Sequence, residues 1–211
     1  MDDRGRVLLV AQGSVGHEAH LYAFYDHSDL MHRIIQDLVE YTKRVTRVFF
    51  EFAVPDMITF AEDISCNLGP MISKELFDEF LAHYYNQMFP DLKSRGSVTM
   101  IDSDGGVEPL IPWFEEIGLQ GIVPLERLAG VDINRTRKNH SQWCMLGGFD
   151  KTVKHLGEDA IRREFERILP VMKSLRYVPS VDHQTPPDVS IKDYMLYLRL
   201  LKEYVRRAVE G

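Results

Sequence analysis

The chain has 211 residues, 45% of them hydrophobic and 27% charged, with a formal net charge of −7. That composition is globular and excludes a disordered tail, a collagen or a coiled-coil rod, and the acid excess argues against a nucleic-acid partner, because such binders carry a basic face. No apolar run approaches the ~18 residues of a membrane helix, no signal peptide is visible after Met1, and Cys66 and Cys144 build no disulfide framework, so a reducing cytoplasm is the expected compartment.

Short apolar runs alternate with long amphipathic ones. Val7–Val10 reads as a buried strand closed by Gly13 and Gly16. Leu30, Ile34, Leu38, Tyr41, Val45 and Val48 then recur at helical spacing, with Ser28 or Asp29 as N-cap. Met57–Phe60 is the next strand, and Ser73 opens a helix carrying Leu76, Phe77, Phe80, Leu81, Tyr84 and Met88, stopped by Gly96. Val98–Ile101 is a strand, Pro109–Ile117 a short helix, and Leu119–Val123 a strand. Asp132–Asn139 (helix), Trp143–Leu146 (strand), Glu158–Lys173 (helix), Tyr177–Val178 (strand) and Ser190–Val209 (helix) complete the chain. No repeat, low-complexity stretch or linker interrupts it, so residues 1–211 form one domain. Repeated strand–helix units predict an α/β fold with a parallel sheet.

Polar residues gather just after the strands: Glu62 and Asp63, Asp102 and Asp104, Glu126, Asp150 and Lys151, Asp182 and His183. In a (β/α) barrel those positions form the carboxyl-terminal mouth, where active sites lie. Asp102-Ser103-Asp104-Gly105-Gly106 offers two carboxylates two apart, suited to a hard cation or to acid–base work, and equally to an Asx turn. His183 stands in a Pro-stiffened loop, as a general base, a metal ligand or a residue fixed by the backbone. Glu62 and Asp63 are adjacent, so in an extended segment only one faces a given pocket. His17 and His20 have H-E-x-H spacing rather than H-E-x-x-H, which excludes a zincin, and no G-x-S-x-G elbow or Walker loop occurs. Arg135, Arg137 and Lys138 read as a polar helix face, and Cys66 and Cys144 as small hydrophobes.

Four strings, Gly69-Pro70-Met71-Ile72-Ser73, DSDGGVEPLIP (102–112), Gly147-Gly148-Phe149-Asp150-Lys151 and YVPSVDHQTPPDVS (177–190), resemble the uroporphyrinogen decarboxylase superfamily from about Val7 to the C-terminus. The resemblance implies a (β/α)₈ TIM-barrel fold and either porphyrinogen decarboxylation or zinc-dependent methyl transfer to and from corrinoid proteins and coenzyme M, and it is best to a bacterial branch beside these two. It sets His183 at the histidine of the decarboxylases' last strand loop, where the methyltransferases place a zinc-binding cysteine. It sets Asp102-Ser103-Asp104 at the methyltransferases' His-x-Cys zinc pair. The decarboxylases' tyrosine and serine fall near Leu8 and Asp63, and their catalytic aspartate and substrate arginines lie in a part with no counterpart here.

The implied fold is thus an incomplete barrel: six strand–helix units, where a TIM barrel has eight in ~250 residues, with the first two units missing. Either Met1 is an internal start or association completes the barrel, and self-association is expected from the uncovered apolar surface. The expected activity is a metal-assisted, methyltransferase-like reaction on a small substrate. Its metal ligands would be Asp102, Asp104 and His183, holding zinc or another divalent transition metal. Glu62, Asp63, Asp150, Lys151 and His183 would be the catalytic groups, and Glu126 and Asp182 would bind substrate. A corrinoid protein is the expected partner. The alternatives are uroporphyrinogen III decarboxylation for haem synthesis and a non-catalytic remnant or binding subunit.

Overall fold

A computed structural model describes residues 16–210; the expected strand Val7–Val10 lies outside them. Helix α1 (His17–Asp26) leads into α2 (Ser28–Phe49), then β1 (Met57–Ala61) and a small antiparallel hairpin, β2 (Ser65–Cys66) with β3 (Gly69–Pro70). Next come α3 (Lys74–Leu76), a π-helical turn (Phe77–Ala82), α4 (His83–Tyr85) and α5 (Phe89–Ser94). The remainder alternates: β4 (Val98–Asp102), α6 (Ile111–Glu116), β5 (Gly121–Val123), α7 (Ile133–Asn139), β6 (Cys144–Phe149), a 3-10 helix (Lys151–Leu156), α8 (Glu158–Met172), β7 (Tyr177–Val181) and α9 (Ile191–Glu210).

Five strands form one parallel sheet in chain order, β1-β4-β5-β6-β7, as the strand–helix alternation requires. Among the described residues the sheet does not close, so the architecture is that of a partial TIM barrel. The register sets Asp102 beside Ala61 on one side and Val123 on the other, and Phe149 beside Val181. Those residues mark one rim; Asp102 lies on it and the other expected acids follow it. Gly121 is required where β5 meets β6: a Cβ there would lie 2.5 Å from the Cys144 carbonyl oxygen.

The sheet contributes Phe60, Ile101, Ile122, Met145 and Phe149 to the core. Helix α8 covers β6 and β7, and α9 packs on α8. That outer layer is aromatic: Phe165 lies 4.6 Å from Phe149 and stacks on Tyr204 at 4.9 Å and Tyr197 at 5.8 Å between ring centroids. No described helix is long and apolar enough to cross a membrane.

Caps define several helix starts. Ser73 Oγ accepts the Leu76 amide at 3.2 Å, and Asp132 accepts those of Asn134 and Arg135, satisfying donors that a helix start otherwise leaves unpaired. The α2 stripe differs from the one expected. Met31, Ile35 and Val39 are buried, whereas Leu30, Tyr41, Val45 and Val48 are exposed. Both rows have helical spacing, and contact with the aromatic face of the π turn selects between them: His32, beside Met31, stacks on Phe80 at 4.3 Å. Strand β6 also runs further than expected, through Gly147 and Gly148, whose positive φ values of 110° and 80° bend it at the rim. At Gly148 a Cβ would strike the Ile133 side chain at 2.4 Å, so β6 can approach α7 only with glycine there.

Candidate functional site

The rim loops border an open cavity of about 470 Å³, a volume within the range of small-molecule sites. Asp63, Asp102, Asp104 and His183 line it, joined by Pro124 and Gln184. Four residues expected from sequence to carry chemistry therefore meet at one place, from the ends of β1, β4 and β7.

Asp104 is the centre of the arrangement. Its Oδ2 lies 3.3 Å from His183 Nε2, and its backbone N–H donates to Asp63 Oδ1 at 3.3 Å. Burial pushes the Asp104 carboxyl above the usual carboxylate range; His183 opposes the shift, while the charges of Asp63 and Glu126 add to it. Two overlapping sets of donor atoms, Asp104–Glu126–His183 and Asp63–Asp102–Asp104, each have all atoms within 4.8 Å of one another.

The Asp104 loop is held from below. Ser103 is fully buried; its Oγ accepts the Ile64 amide and bonds Ser65 Oγ, each at 3.1 Å, and Ser65 Oγ donates to the Asp104 carbonyl. The sequence signal for Ser103 is its place between two acids, whereas Ser65 has none. The next residue, Gly105, has φ +83°, and a Cβ there would lie 2.5 Å from the Cys66 backbone carbonyl carbon. Its N–H donates to Glu126 Oε2 at 2.9 Å. Gly105→Ala is therefore expected to push the Asp104 loop off the β2–β3 hairpin. Urea unfolding should register a loss of about 1–3 kcal/mol.

Asp63 also has a positive φ, 45°, a conformation costly for most residues but accepted by Asp. Asp63 lines the cavity, and Glu62 points instead into the core, where it is fully buried and accepts the Tyr85 hydroxyl. That carboxylate also pushes the buried Tyr85 phenol well above its ordinary range, after desolvation itself.

Three further residues expected at the mouth serve the scaffold. Asp150 caps the 3-10 helix, accepting the Thr152 amide at 2.8 Å and its hydroxyl at 2.6 Å. Asp182 is fully buried and accepts the Arg127 and Lys151 amides, each at 3.0 Å, fastening the loops after β5 and β6 to the end of β7. Lys151 reaches the cluster through Glu126, with Nζ 3.2 Å from Oε1. Neither Lys151 nor Glu126 is among the cavity-lining residues, but Glu126 belongs to one donor set.

A second cavity, of about 220 Å³, lies between α2 and α5, with Lys43, Arg47 and Arg95 on its walls. Two of these cations already face acids: Lys43 Nζ lies 3.0 Å from Glu40 and Arg95 Nε 3.3 Å from Asp91.

The sequence profile of the family described as uroporphyrinogen decarboxylase (URO-D) matches residues 7–204. The chain belongs to the uroporphyrinogen decarboxylase family. Among solved structures, this family member is similar to a methyltransferase from Methanosarcina mazei, with a TM-score of 0.68 and 17% sequence identity over 94% of this chain. The likeness is one of fold. This chain spans 56% of the length of that methyltransferase. No curated protein sequence matches it.

Proposed function

We propose that this uroporphyrinogen decarboxylase family member is a metal-assisted, methyltransferase-like enzyme acting on a small substrate at the Asp104–His183 cavity. The observation that carries the reading is the pair of donor sets sharing Asp104. Metal–oxygen and metal–nitrogen bonds of about 2.0–2.2 Å put ligand atoms up to roughly 4 Å apart, so a set spanning 4.8 Å at most needs only a small contraction. Carboxylates and one imidazole suit Mn, Fe, Co or Ni as well as Zn.

Asp104, Glu126 and His183 would hold the ion, with Asp63 and Asp102 beside it as base or further ligands. A bound divalent metal supplies Lewis acidity and lowers the pKa of a coordinated nucleophile. The chain's own groups hold the ligands in place: Ser103 and Ser65 fix the loop carrying Asp104, and Asp63 accepts its amide. Four carboxylates against Lys151 and His183 leave the mouth negative. That balance favours a cation and opposes a porphyrinogen bearing many carboxylates. A methyltransferase of this fold is the ground for reading methyl transfer, with a corrinoid protein as methyl donor or acceptor.

The test is cobalt- or zinc-dependent demethylation of methylcobalamin by the purified protein in the presence of thiols, with uroporphyrinogen III turnover measured in parallel. Demethylation that is lost on chelation and restored by metal supports the reading. Uroporphyrinogen turnover, or no bound metal, overturns it.

A further inference from the structure

Lys154, in the 3-10 helix between β6 and α8, is a fully buried cation outside that machinery. Its Nζ donates to Thr185 Oγ1 at 2.6 Å and sits 4.5 Å from the centre of the Tyr197 ring and 5.3 Å from that of Tyr194, both on α9. Thr185 is two residues beyond His183 in the same loop. The 3-10 helix touches that loop twice more, through the Lys151 amide on Asp182 and through His155, whose Nδ1 is 4.0 Å from Asp188.

We propose that Lys154 is a positioning residue: its ammonium, clamped between the Tyr197 ring and Thr185, fixes the 183–187 loop and with it the spacing of His183 from Asp104. The inference rests on the reading of the Asp104–His183 cavity given above. Burying a charge is costly unless it is well partnered, and an apolar side chain of similar length would fill the space without that cost. What the ammonium adds is a directional bond to the loop, supported by cation–π contact. Desolvation lowers the Lys154 pKa to about 8, with the Asp182 charge opposing.

The experiment compares the full chain with Lys154→Met, Thr185→Val and Thr185→Ser, by cobalt titration and by amide hydrogen exchange across residues 182–190. Lys154→Met and Thr185→Val should weaken cobalt binding by roughly ten-fold, the scale of outer-shell partners of metal ligands. They should also speed loop exchange on the order of ten-fold while β6 and α8 keep their protection. Thr185→Ser keeps the hydroxyl and should behave like the parent. Unchanged loop exchange in both variants overturns the proposal, as does acceleration spread evenly over β6 and α8, which marks a merely structural lysine. Should Lys154→Met not fold, Thr185→Val decides alone. If the parent chain binds no cobalt, the metal reading fails, and loop exchange still decides the role of Lys154.

Discussion

Asp104→Asn is expected to weaken divalent-metal binding at least about 100-fold, close to 2.7 kcal/mol, as read by calorimetric titration with cobalt or zinc. Asp104 belongs to both donor sets, and asparagine keeps its volume while removing the charge from each. His183→Gln touches one set only and should cost less. Asp104 also fixes a pH signature. Its carboxyl is raised above the ordinary value, chiefly by burial, so the metal-free folded chain holds that proton more tightly than the unfolded chain does. Stability from this group is therefore greatest at pH values below the unfolded pKa and falls as pH rises through the raised one. At neutral pH, thermal melting of metal-free Asp104→Asn should occur slightly above that of the parent, the stability–function trade expected of a binding site. A lower melting temperature together with unaltered metal affinity would rule out this account of Asp104.

Phe165→Ala is expected to cost about 3–5 kcal/mol in urea unfolding, the range for aromatic truncation in a packed core. Phe165 is fully buried and contacts Phe149 on β6 and both Tyr197 and Tyr204 on α9. Its loss leaves a cavity between three elements that cannot collapse together. The β7 rim carrying His183 lies under the same layer, so metal affinity should fall with stability. A loss under about 1 kcal/mol, the scale of a single buried methylene, would show that α9 repacks freely.

The alternation of apolar strands with amphipathic helices made the parallel sheet and its order legible, because strand and helix periods differ. The rim was legible too, since Asp63, Asp102, Asp104 and His183 all follow strands and do meet. What sequence could not settle is which way neighbouring polar residues turn. Adjacent Glu62 and Asp63 diverge, one into the core and one into the cavity, through a backbone angle at Asp63 that no periodicity encodes. Asp150 and Asp182 resemble catalytic acids by position. Only the amides offered by Thr152, Arg127 and Lys151 turn them into caps and fasteners. On α2 two apolar rows had equal helical spacing, and a tertiary contact chose between them.

Asp182 has a consequence for how the mouth opens. One carboxylate receives amides from two separate loops while itself ending the last strand. The loops after β5 and β6 thus share a single latch at the end of β7. A ligand that displaces Asp182 frees both at once, a sub-global opening rather than local fraying. Breathing of the mouth that starts at Asp182 should accordingly appear as one exchange rate common to the loops after β5 and β6.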